Sequence, residues 1–227
     1  MKRHLLPLLF LVALPAAAWT RAADHRIAAK SAELAPPDLR LVIDLYRDAY
    51  LRGVDLALAD EGSEVHRARL RARIEAESHA IARMIRTNKS LISVVERLGI
   101  LAHLVGDANN PFHIGDDDAA RRADFEQYFE HRLARFPTVF YGIDRRFALA
   151  SYLDRTFART SGFVPLMAEE YTRGTSADFD DRSTAFGVAS VCYSHAVTDM
   201  VNLEYFIWKE AGGSVRKAPQ SIVLNGN

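Results

Sequence analysis

A lone cysteine, Cys192, stands in a chain of 227 residues, so no disulfide can close within it. In its apolar setting, Val191-Cys192-Tyr193, it reads as a small buried side chain rather than a metal ligand. Charge of one sign is also missing: 29 Lys and Arg balance 29 Asp and Glu, which removes any demand for a polyanionic partner. Beyond the first eighteen residues, no apolar run is long enough to cross a bilayer. Nor is there an internal repeat, a low-complexity tract or a linker. What is present is 49% hydrophobic, enough for one domain with a sizeable core.

The N-terminus has the pattern of an export signal. Lys2 and Arg3 supply positive charge, Leu5 to Leu14 an apolar stretch too short to span, and Ala16-Ala17-Ala18 a small-residue cleavage site. The expected product is a secreted or periplasmic protein, with a domain from 19 to 213 and a loosely held tail from 214 to 227. Cleavage after Ala18 would make Trp19 the new terminus; cleavage after Ala22 or Ala23 would remove it. A free α-amino group and its own carbonyl oxygen can chelate a metal as a five-membered ring, so processing itself can create a ligand.

Helical patterning dominates the remainder of the chain. Ala23 to Leu34 reads as a first helix stopped by Pro36-Pro37, and Asp38 can cap a second that runs to about Ala59, with Leu41, Leu45, Ala49 and Val54 near helical spacing. A third, Glu64 to Ile85, turns Leu70, Ile74 and Ile81 inward and its Arg and Glu residues to solvent. Leu91 to about Val105 is apolar nearly all round and belongs in the core. Further helices are expected over Ala120 to Arg135, Arg145 to Ala158, Phe163 to Tyr171 and Asp181 to Ala211. The expected fold is an all-α, single-domain helical bundle with metal ligands gathered between helices.

Chemistry concentrates at His103-Leu104-Val105-Gly106-Asp107-Ala108-Asn109-Asn110-Pro111-Phe112-His113. Residues four apart project from one helix face, which pairs His103 with Asp107, and the Asn109-Asn110-Pro111 turn can return His113 toward them. Imidazole and carboxylate together suit zinc and hydrolytic metal chemistry. A second pair at the same spacing, His195 and Asp199, lies on the last helix.

These residues resemble the zinc-dependent phospholipases C of bacteria and the related single-strand-specific zinc nucleases. The resemblance rests on Trp19 at the expected mature terminus, His25 soon after it, and the His-x3-Asp-x5-His block from His103 to His113. It covers about half the mature chain, Trp19 to Glu126. It implies up to three zinc ions in one cleft: Trp19 and His25 on one, Asp107 bridging to a second that is also held by His103, Asp60 and His66, and His113 on the third with Glu126. Asp55 competes with Asp60 for the carboxylate, because the spacing from Asp60 to His66 is short for the family. Arg122 stands where the family has a further histidine, and a cation cannot ligate zinc. The third ion would then be weakly held, absent, or completed by another residue such as His195 with Asp199.

The resemblance implies phosphodiester hydrolysis by a metal-activated water, with Asp60 also a candidate to hold or deprotonate that water. Ligation needs neutral imidazole, so acid is expected to release metal and abolish activity together. The retained Phe125-Glu126 pair and the missing paired cysteines favour a phospholipid substrate with transient membrane-surface contact. The alternatives are a nuclease, which needs aromatic stacking platforms, and a zinc-stabilised protein without catalysis; Tyr128, Phe129, Phe140 and Tyr141 could serve either a base or an acyl chain.

Overall fold

A computed structural model of the chain describes residues 19–59, 64–115, 118–215, 219 and 221–224, with only the backbone of 64–68. The expected export signal and Asp60 lie outside the described residues, as does the side chain of His66.

Helix α1 (Arg21–Leu34) starts where the Thr20 hydroxyl accepts a hydrogen bond from the Ala23 amide, and it stops before Pro36. The expected second helix is two helices, α2 (Pro37–Leu45) and α3 (Arg47–Ala59), because the backbone leaves helical geometry at Tyr46 (φ −116°, ψ 36°). The break changes which face is inward. Leu39 and Ile43 are buried, while Leu41 and Leu45, expected to share the core stripe with Ala49 and Val54, are 69% and 70% exposed. Helix α4 (Glu64–Arg86) buries Leu70, Ile74 and Ile81 as its spacing requires.

Helix α5 (Leu91–Ala108) is central and almost wholly buried from Leu101 to its end. It meets α3 backbone to backbone: a Cβ on Gly53 would run into the Glu96 carbonyl, and one on Gly99 into that of Tyr50. Only glycine permits this approach. Asn109 caps α5, and the Asn110 side chain then accepts from the Phe112 amide at 3.0 Å, starting the short helix α6 (Pro111–Ile114) with Pro111 in its first turn. The polypeptide thereby reverses between Asp107 and His113.

Helices α7 (Ala119–Arg132), α8 (Leu149–Ser161) and α9 (Val164–Arg173) surround this turn, and α10 (Thr184–Glu210) runs through the core. An aromatic cluster fastens α7 to α6 and to the start of the domain, with Phe112 and Phe125 ring centroids 5.0 Å apart and Trp19 edge-on to Phe129 at 4.1 Å. Within the expected tail, β2 (Ile222–Leu224) pairs antiparallel with β1 (Thr138–Phe140), Val223 opposite Val139. The fold is an all-α single-domain bundle with this two-stranded addition. Among the described residues no helix is long and apolar enough to cross a membrane.

Candidate metal centre

His103 and Asp107 project from one face of α5, both with no solvent exposure, and α6 brings His113 over them. The Asp107 carboxylate oxygen Oδ2 stands 3.3 Å from His103 Nε2 and 3.7 Å from His113 Nδ1. Both separations exceed a good N–H···O hydrogen bond. They bracket the spacing of two donor atoms on one tetrahedral zinc, about 3.3–3.5 Å for bonds of about 2.0–2.1 Å. Three of the expected ligands are therefore neighbours, with the Asp107 carboxylate between the two imidazoles.

A residue that sequence reasoning missed completes the arrangement. Asp24, on α1, is fully buried and its Oδ2 lies 2.9 Å from His103 Nδ1. A carboxylate on one imidazole nitrogen fixes the ring and aims the other nitrogen, the usual support for a metal-binding histidine. The second Asp24 oxygen is buried with no hydrogen-bond partner among the described residues. Burial pushes the Asp24 carboxyl up to about 6, although His103 opposes the rise. For His103, burial disfavours the cation, but Asp107 and Asp24 outweigh it and hold the imidazole well above its ordinary value.

The remaining expected ligands divide into two groups. Trp19 is fully buried beside the cluster, its indole N–H donating to the Gly106 carbonyl at 2.7 Å, next in sequence to Asp107. Glu126 is buried on α7 immediately after Phe125, and Arg122, one turn earlier, is buried as well. His25 instead faces α3, with its Nε2 2.8 Å from Asp55 Oδ1. Arg21 donates to both oxygens of that carboxylate, at 2.7 and 2.6 Å, and holds Asp55 below its ordinary pKa. Asp55, the alternative to Asp60, thus has its oxygens occupied by a guanidinium. Among the described residues no group of three or more His, Cys, Asp or Glu side chains is disposed to hold a metal by itself. Of the expected ligands near this cluster, Asp60 and the His66 side chain fall outside the described residues.

The pair expected to substitute at the third ion is engaged elsewhere. Asp199 accepts from Tyr152, Thr156, Arg159 and Asn109 at 2.6 to 3.2 Å. His195 stacks on Tyr141 with centroids 4.4 Å apart, and burial, with Arg159 nearby, lowers its pKa to about 4. Cys192 is buried, as its apolar setting requires, and burial pushes its thiol up to about 12. Comparison with known proteins returns no matching family model, no similar characterised protein and no similar solved structure.

Proposed function

We propose that this chain is an exported zinc-dependent phosphodiester hydrolase of the phospholipase C-like type. The observation that carries the reading is the placement of one buried carboxylate, Asp107, between His103 and His113 at 3.3 and 3.7 Å, with Asp24 fixing the His103 ring from behind. His103, Asp107 and His113 would hold zinc, joined by Asp60 and His66 and by the terminal Trp19, with His25 as a further ligand if its ring turns from Asp55. Bound zinc supplies a Lewis acid for the phosphoryl oxygen and an acidified water for attack on phosphorus.

The protein's own part is positioning and proton handling. Asp24 keeps the His103 Nε2 lone pair directed at the centre, and Asp107 spans the two imidazoles. Asp60 is assigned the proton of the attacking water; the water oxygen bonds to phosphorus as the ester oxygen departs and takes up a proton. Packing around Trp19, Phe112 and Phe125 keeps bulk water from one side of the site. Tyr128, Phe129 and Phe140 are buried in the core, which withdraws them as contacts for either a base or an acyl chain, while Tyr141 is 45% exposed and stacks on His195. Contact with a lipid surface would then be transient, since catalysis needs only the head-group ester.

The test is zinc content per chain of the secreted, N-terminally sequenced protein, with phosphatidylcholine and single-stranded DNA hydrolysis assayed on the same sample. Two or three zinc ions with lipid cleavage supports the proposal, and three would require a ligand in place of Arg122. DNA cleavage alone would transfer the protein to the nuclease reading. Bound zinc without turnover of either substrate would make it a zinc-stabilised protein that does not catalyse.

A further inference from the structure

The segment joining Asp107 to His113 is gripped from outside the proposed centre. Asn109, 1% exposed, uses its amide fully: Nδ2 donates to the Val105 carbonyl at 3.0 Å and to Asp199 Oδ2 at 3.0 Å, and Oδ1 accepts from Arg159 Nη2 at 2.9 Å. The same Arg159 nitrogen donates to Asp199 Oδ2 at 2.6 Å, so amide, guanidinium and carboxylate form a closed triangle. Asp199 is held in turn by the Tyr152 hydroxyl on Oδ1 at 2.6 Å and by Thr156 on Oδ2 at 3.2 Å. Arg159, Tyr152 and Thr156 come from α8 and Asp199 from α10, helices that contribute none of the ligands in the core block.

A helix end alone does not require such a network. Asn109 Nδ2 already satisfies the last-turn carbonyl of Val105, and burying an ion pair carries a desolvation penalty that its attraction does not reliably recover. What the triangle adds is a fixed orientation for the amide of Asn109, the first of the two residues between α5 and α6. Asp107 is two residues before that amide and His113 four residues after it. Rotation of Asn109 would change the 3.7 Å separation of Asp107 and His113, which lie on either side of it.

We infer that Asn109, Arg159 and Asp199 are positioning residues that set the separation of Asp107 and His113. This rests on the proposed zinc centre. The test uses the full mature protein with zinc, by competition against a chromophoric chelator, and with cobalt(II), whose visible band reports coordination geometry. Asn109→Ala should weaken zinc binding about tenfold or more, the usual effect of removing support behind a ligand, and should alter the cobalt band. Arg159→Lys, whose shorter side chain withdraws the one nitrogen that donates to both Asn109 and Asp199, should do the same and serves if Asn109→Ala does not fold. Ser78→Ala controls for lost stability: it deletes a buried 2.7 Å hydrogen bond to the Ile74 carbonyl on α4 and should leave zinc affinity and the cobalt band unchanged. Wild-type zinc affinity and an unaltered band in Asn109→Ala and Arg159→Lys would overturn the inference alone. A wild-type protein that takes up neither metal would overturn it together with the zinc centre.

Discussion

Two buried aspartates near the Asn109 turn have opposite surroundings. Asp199 accepts from a phenol, a threonine hydroxyl, an amide and a guanidinium, all at hydrogen-bond distance. Asp107 has two imidazole nitrogens at 3.3 and 3.7 Å, beyond good hydrogen bonding but suited to sharing an ion. A carboxylate saturated by donors that cannot ligate metal is a structural brace. One facing imidazoles, whose partner His103 is itself oriented by Asp24, is the one proposed as a ligand. Both pairs have the spacing His-x3-Asp. Spacing establishes a shared helix face, and the partners decide what that face does.

The largest expected effect breaks the comparison at Asp107. Asp107→Ala or His103→Ala should lower zinc affinity by more than about 100-fold, beyond the range for supporting residues, and abolish phosphodiester turnover. Full zinc content in either variant would remove these residues from the ligand set. At Asp199 the prediction reverses in kind: Asp199→Ala strands Arg159 beside a buried site and should cost roughly 3–5 kcal/mol of folding stability. Urea unfolding of the metal-free protein measures it, and a loss below about 1 kcal/mol would mean that the brace is not one. Asp24→Asn sits between the two, with zinc affinity expected to fall about 10–100-fold while the protein stays folded. Unchanged affinity would leave Asp24 as an ordinary buried acid.

Much of this was legible because it is local. The His103 and Asp107 pairing follows from four-residue spacing, and the return of His113 from an Asn-Asn-Pro turn whose second Asn caps α6. The inward positions of α4 followed from a clean apolar stripe. Asp24 was not legible, since its partner His103 lies 79 residues away and an acid in the first turn of a helix already has a local explanation. Leu41 and Leu45 misled because the chain breaks at Tyr46, where no Gly or Pro marks the end of a helix. His25 was expected at a zinc and faces Asp55, a choice set by where α1 lies against α3. The pairing of residues 222–224 with β1 joins segments more than eighty residues apart, and nothing in a short Ile-Val-Leu run names its partner.

A third buried acid sharpens the comparison at smaller amplitude. Glu204, on α10, has no solvent exposure and is neither saturated by donors like Asp199 nor set among imidazoles like Asp107. Burial raises its carboxyl from an ordinary 4.5 to about 8, with the Tyr50 hydroxyl easing the charge only in part. The folded protein therefore binds this proton more tightly than the unfolded chain, and the group's contribution is fully present below about 4.5 and is lost as pH rises through about 8. Glu204→Gln removes the titration while keeping the shape. Its melting temperature should match wild type near pH 5 and exceed it at pH 8 by at least about 2–4 °C, the shift for about 1 kcal/mol in a domain of this size. Melting curves across that range decide the matter: a constant difference between the two proteins would mean that Glu204 keeps its charge state on folding, and that its interior site, with the Tyr50 hydroxyl, is polar enough to hold a carboxylate.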